Sequence, residues 1–192
     1  MRLVILGGPG AGKGTQASRI AQNFDIPDIA TGDVLREAIA MKTELGVQAQ
    51  TYVESGEFVP DEIMIEFIRQ RLLQPDVSEG WLLDGYPRTA FQAEELDFLL
   101  EELDQRLDWA IYLNVPEEVL ASRTIQRLRS DDKPLIIRRK VELFHQRTMP
   151  ILEYYSMRDR LLDIDGDRSP ENVTEDIFSQ LRASATSTPS NR

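Results

Sequence analysis

The apolar positions of the chain open as an unbroken run, Leu3, Val4, Ile5 and Leu6, that stops at a loop of glycines. Four consecutive apolar residues bounded by turn residues predict a strand buried on both faces. Behind the loop, Ala17, Ile20, Ala21 and Phe24 recur at i, i+3, i+4 and i+7, the stripe of a helix packed on one face. Runs of the first kind return at Trp81 to Asp84, at 109–115 and at 161–165, with a shorter one, broken by Pro27 and Asp28, at 26–30. Helical spacing fills the intervals: Val34, Leu35, Ala38 and Ile39; a piece around 45–53; Ile65, Ile68 and Leu72; Leu96, Leu99, Leu100 and Leu103; Val173, Ile177 and Leu181. Strands alternating with helices predict an α/β fold with a doubly wound parallel sheet and helices on both faces. Residues 31–60 form a small helical insertion between strands.

Several boundaries carry their own signals. Thr31 or Asp33 can cap the helix through Val34, and Thr89 with Gln92 makes a capping box ahead of the Leu96 helix. Ser169 and Pro170 suit the N-cap and first position of the last helix. Pro150 is expected to kink the long helix that carries His145, a histidine placed beside Phe144 and better suited to structure than to catalysis.

The loop Gly7-Gly8-Pro9-Gly10-Ala11-Gly12-Lys13-Gly14-Thr15 lies between strand and helix. Glycines let successive N–H groups turn toward one anion, the following helix adds its N-terminal dipole, and lysine adds a point charge. The loop is therefore a phosphate cradle. The general pattern sets Ser or Thr directly after the lysine; here Gly14 intervenes, and Thr15 supplies the hydroxyl for a Mg²⁺ ion. Asp84, at the carboxyl end of an apolar run, stands where a phosphate-binding sheet holds Mg²⁺, directly or through water.

Composition narrows the picture. A chain of 192 residues, 41% hydrophobic, can bury one good core. A net charge of −11, from 22 Lys and Arg against 33 Asp and Glu, argues against nonspecific binding to nucleic acid or anionic membranes. With no cysteine, neither a disulfide nor a thiolate zinc site can form, which suits a reducing compartment. No charged-then-apolar leader precedes the first strand, and no apolar run approaches the ~20 residues of a membrane span. A cytoplasmic monomer is the expectation. The segment 183–192, rich in Ser, Thr and Ala, is expected to lack fixed structure.

In so acidic a chain, clustered cations stand out. Arg123, Arg127, Arg129, Lys133, Arg138, Arg139 and Lys140 crowd into one segment, and Arg123 and Arg127, four apart on a helix opened by Pro116, Glu117 and Glu118, repel by a few tenths of a kcal/mol. Such a cluster suits a polyphosphate clamp.

The form of the cradle, and Asp84-Gly85-Tyr86-Pro87-Arg88 followed by Gln92, resemble the two signatures of the adenylate kinases, and the resemblance spans almost the whole chain. It implies a five-stranded parallel sheet, a nucleotide-monophosphate-binding insertion at 31–60, a short lid at 128–138, a core made of 1–30, 61–127 and 139–182, and reversible transfer of a phosphoryl group from MgATP to AMP giving two ADP. On that resemblance Gly10, Ala11, Gly12, Lys13, Gly14, Thr15, Arg123, Arg127 and Arg168 would bind ATP, with Arg123 stacked on its base. AMP would meet Thr31, Arg36, the backbone of Glu57, Phe58 and Val59, then Gly85, Tyr86, Pro87, Arg88, Gln92, Arg129 and Lys140. Lys13, Arg88, Arg127, Arg129 and Lys140 would stabilise charge at the transfer site, with Thr15 and Asp84 holding Mg²⁺ through water and no zinc. A cis peptide is expected before Pro87.

One position departs from the family pattern: Lys140 stands where arginine is usual, nine residues after Asp131. An ammonium lacks the bidentate grip of a guanidinium. Thr31 with Gln92 resembles the adenylate-selective pairing. A UMP/CMP-type kinase and a noncatalytic nucleotide sensor are the competing readings.

Overall fold

In the computed structural model, which describes residues 1–127 and 134–186 and the side chains of all of these except 126, 127, 134, 185 and 186, the apolar runs form one sheet. Its strands are β1 (Arg2–Leu6), β2 (Asp28–Ala30), β3 (Trp81–Asp84), β4 (Trp109–Asn114) and β5 (Leu161–Asp165). They lie in the order β2-β3-β1-β4-β5, and every pairing is parallel.

Side chains alternate across a strand, so each run feeds two cores. Val4, Leu6, Leu83, Ala110 and Tyr112 face one side; Leu3, Ile5, Leu82, Ile111 and Leu113 face the other. The first side is covered by α2 (Thr31–Ala40), α3 (Glu44–Ser55), α4 (Asp61–Leu72), α5 (Ala90–Glu102) and α8 (Met149–Ser156), through residues such as Leu35, Ile68, Leu96 and Tyr155. The second is covered by α1 (Lys13–Phe24), α6 (Glu117–Arg127) and α9 (Pro170–Thr186), through Ile20, Leu120 and Ile177. Leu3, Val4, Leu82 and Leu83 are fully buried, and burying each such side chain contributes about 1.5–3 kcal/mol. Continuous apolar strands thus follow from a sheet covered on both faces.

Gln16 on α1 couples the first and last helices: its Nε2 donates to Pro170 O at 2.9 Å and its Oε1 accepts from the Thr174 hydroxyl at 2.7 Å. Residues 31–60, read from the sequence as an insertion, hold α2 and α3 between β2 and α4. The expected cap of α2 is not formed. Thr31 is already the first helical residue, its hydroxyl donates to Asp84 O at 3.0 Å, and Asp33 pairs with Arg36 instead. Thr89 does cap α5, accepting from Gln92 N at 3.1 Å, but the Gln92 side chain does not close the box; its Oε1 accepts from Arg88 N.

The long helix expected to kink at Pro150 is interrupted earlier. α7 (Pro134–Leu143) passes into a π turn, Phe144–Thr148, and Pro150 then falls in the first turn of α8, where a missing N–H costs little. The last helix runs to Thr186, so residues 183–186, expected to lack structure, are helical. Residues 187–192, together with Arg129, Lys133 and lid residues 128–133, lie outside the described residues. The Tyr86–Pro87 peptide is cis.

Candidate active site

The carboxyl ends of the parallel strands border a cleft of about 750 Å³ whose walls come from the cradle, the insertion, the turn after β3 and α7. In such sheets a ligand belongs in the crevice outside the strand ends, where the strand order reverses.

The cradle forms because β1 ends at Leu6 and α1 cannot start until Lys13. Gly12, the N-cap, has φ +91°, and Gly10 has φ +83°, both in the left-handed region that favours glycine. Gly10 also lies against α6: a Cβ there would come within 2.6 Å of Leu120 O and Thr124 Oγ1. Lys13 Nζ donates to Gly7 O at 2.8 Å and Gly8 O at 3.2 Å, so the loop itself holds the ammonium at the mouth of α1. Gly10, Gly12, Lys13, Gly14 and Thr15 line the cleft, whereas Ala11 is buried beneath them at 4% exposed.

Facing the cradle, Asp84 at the end of β3 also lines the cleft, with its Oδ2 3.8 Å from where a Cβ on Gly14 would stand. Asp28 enters from the edge strand β2. Burial, reinforced by the Asp84 and Asp33 carboxylates, pushes its pKa up to about 6.

The turn after β3 supplies Gly85, Pro87, Arg88 and Gln92 to the cleft. Arg88 Nε donates to Gly85 O at 2.7 Å, and the guanidinium carbon lies 5.3 Å from the centroid of the Phe58 ring, within cation–π range. Burial lowers the pKa of this guanidinium, and nearby Asp84 opposes the shift. From behind, the Thr148 hydroxyl donates to Arg88 O at 3.0 Å. The insertion contributes Arg36, Glu57, Phe58 and Val59, and α7 contributes Lys140.

Among the described residues, the cation cluster does not converge on the cleft as a whole. Arg123 lines the cleft and bonds Gly166 O at 2.9 Å and Asp167 Oδ1 at 3.1 Å, which ties α6 to the loop after β5. Arg138 is exposed, and Arg139 is taken by Glu57 and Glu142. The backbone of Arg127 closes α6, but its side chain, like the whole of Arg129, is outside the described residues.

Three other residues expected to contact nucleotide do not line the cleft in this structure. Arg168 is not on the cleft wall; Asp165 and Asp176 hold it. Thr31 is fully buried beneath the wall, its hydroxyl directed to Asp84 O. Tyr86 is 1% exposed and donates to Gln92 O at 3.2 Å, supporting the turn from inside.

Sequence reasoning missed Asp28, Asp33, Phe144 and Thr148 on the wall, the Phe58 ring beside Arg88, and Asp61 behind Gln92. A carboxylate on the edge strand could have been noticed in the sequence. The others depend on tertiary contacts or on the π turn.

A family model described as Adenylate kinase matches residues 5–160. Among curated proteins, Adenylate kinase 2 of Nostoc sp. is 60% identical over 181 residues, covering 94% of this chain and 98% of that protein. Adenylate kinase 2 of Synechocystis sp. is 51% identical over 181 residues, with 94% and 100% covered. Adenylate kinase of Archaeoglobus fulgidus is 40% identical over an alignment of 208 residues, with 92% and 96% covered; that alignment is longer than this chain, so that relative carries inserted residues. With the match spanning cradle, insertion and the turn after β3 alike, the chain belongs to the adenylate kinase family.

Proposed function

We propose a division of labour by which this adenylate kinase moves the terminal phosphoryl group of ATP to AMP, giving two ADP, an activity that rests on its family membership. The observation that carries the assignment of roles is that one cleft holds both the cradle and a second group of cations, Arg36, Arg88 and Lys140. Gly10, Gly12, Lys13, Gly14 and Thr15, with Ala11 as backbone support, take the ATP phosphates; Arg123 borders the ATP base. Arg36, Arg88 and Lys140 take the AMP phosphate, while the Glu57–Val59 segment, Gly85, Pro87 and Gln92 enclose the nucleoside. Arg127 and Arg129 belong to the ATP and transfer sites by family resemblance.

Phosphoryl transfer asks for in-line positioning and neutralised charge rather than a covalent group. Lys13, Arg88 and Lys140, with Arg127 and Arg129, supply that charge from both sides of the migrating group. Thr15 and Asp84 offer two oxygen donors on the cleft wall, and among the described residues no group of three or more His, Cys, Asp or Glu is placed as a metal cage. That donor set suits Mg²⁺, which keeps several waters and shares its ligands with substrate phosphates. When bound, Mg²⁺ neutralises charge on the transferring phosphates. Zinc has no thiolate ligands here, since the chain has no cysteine.

A cytoplasmic monomer completes the proposal: no helix among the described residues is long and apolar enough to cross a membrane, and the acidic charge balance disfavours nucleic acid. The short lid rests on the family resemblance and on the few residues of sequence between Arg127 and Arg138. A coupled assay with ATP and each of AMP, CMP, UMP and GMP tests the assignment. AMP should be the preferred acceptor by a wide margin; preference for CMP or UMP, or no transfer to any, would overturn it.

A further inference from the structure

Gln92 borders the cleft yet is 1% exposed, and two of the four hydrogen-bonding positions of its amide are used inside the protein. Its Oε1 accepts from Arg88 N at 2.8 Å, and its Nε2 donates to Asp61 Oδ1 at 2.7 Å. Both partners have a single polarity. A backbone N–H can only donate and a carboxylate can only accept, so the flipped amide would set donor against donor and acceptor against acceptor. Asp61 is itself well placed. It opens α4, where a negative side chain is favoured by the helix dipole, and its Oδ2 meets the Thr89 hydroxyl at 3.5 Å.

The locked amide retains one N–H and one oxygen lone pair for a base in the cleft. Adenine presents an acceptor, N1, beside a donor, the 6-amino group. A 6-oxopurine presents the reverse, N1–H beside O6, and would need the amide turned over. A freely turning glutamine could serve either base; a locked one serves one of them.

We propose that Asp61 is a specificity-determining positioning residue, which discriminates against 6-oxopurine monophosphates by fixing the orientation of the Gln92 amide without touching substrate. The proposal rests on the reading that the AMP base meets Gln92. Asp61 is not on the cleft wall, so its effect has to pass through that amide.

The test compares kcat/KM for AMP and for IMP at saturating ATP in the wild type, Asp61→Asn and Gln92→Ala, with the thermal midpoint of each variant recorded. Asn is isosteric with Asp and can offer either polarity, so the lock from this side is released while Arg88 N remains. In Asp61→Asn the IMP:AMP ratio should rise on the order of tenfold, the scale of one unpaired buried polar contact, mainly through KM. An unchanged ratio in Asp61→Asn beside a changed one in Gln92→Ala overturns the positioning role and leaves the base contact standing. An unchanged ratio in Gln92→Ala removes the base contact, and the proposal with it. If Asp61→Asn melts far below the wild type, the same ratio is read on Asp61→Ser, whose hydroxyl also donates or accepts.

Discussion

Arg139 grips the Glu57 carboxylate with two hydrogen bonds, Nε to Oε1 at 2.6 Å and Nη2 to Oε2 at 3.1 Å, while its neighbour Lys140 lines the cleft. Successive helical residues are rotated by ~100°, so one of the pair must turn away when the other faces substrate. The contact joins the insertion to α7, beside the packing of Gly56 on Ile136. The Arg139 hydrogen bonds hold the Glu57 carboxyl below its usual pKa.

On the proposed assignment, Lys140 rather than Arg139 carries the charge on this side of the transfer site. Lys140→Ala should lower kcat by on the order of 10²-fold, as loss of one transition-state charge does, and Lys140→Arg should keep or improve it. Arg139→Ala should change turnover little. Steady-state kinetics on the three variants checks this, and a crippled Arg139→Ala beside an active Lys140→Ala would reverse the assignment.

Gly10 and Gly12 share a positive φ but differ in surroundings. A methyl group at Gly10 would meet Leu120 O and Thr124 Oγ1, whereas at Gly12 nothing lies within 4 Å. Gly12→Ala should carry only backbone strain, about 1–2 kcal/mol. Gly10→Ala adds the clash with α6, so it should melt at a clearly lower temperature than Gly12→Ala. Calorimetry on both variants decides, and equal midpoints would show that the loop yields at no cost.

Asp28 makes stability depend on pH in a stated direction. Its pKa is raised from 3.8 to about 6 on folding, so between those values the folded protein holds a proton that the unfolded chain has lost. Its contribution to stability accordingly falls as pH rises through that window. In Mg²⁺-free buffer, Asp28→Asn should raise the thermal midpoint more at about pH 7.5 than at about pH 4. Because Asp28 is also open to solvent in the cleft, the difference should be modest. An equal shift at both pH values would contradict the burial argument.

The parts of the fold legible in the sequence are those whose signal is local. The run Leu3–Leu6, the glycine loop and the Ala17–Phe24 stripe lie within one short segment, and their order specifies strand, cradle and helix. The strand-end position of Asp84 was legible for the same reason. What the sequence could not reveal is where a long side chain turns once a distant partner exists. Arg139 and Glu57 are separated by 82 positions, and no helical periodicity announces that the guanidinium leaves the cleft. Arg168 is likewise drawn aside by Asp176, and Thr31 by the backbone of Asp84. The π turn escaped because one extra residue in a helical turn leaves no signature in the sequence.

The central claim is that the cradle serves phosphate rather than the fold. Lys13 bonds two carbonyls of its own loop and belongs to neither core, so removing it takes charge from the proposed substrate site while leaving both cores intact. The most direct test is the turnover of Lys13→Ala with ATP and AMP, measured beside its thermal midpoint. The account predicts a loss of two or more orders of magnitude, on the order of 10²–10³-fold for one charge stabiliser, with a midpoint close to that of the wild type. Wild-type turnover in a folded Lys13→Ala protein would contradict it.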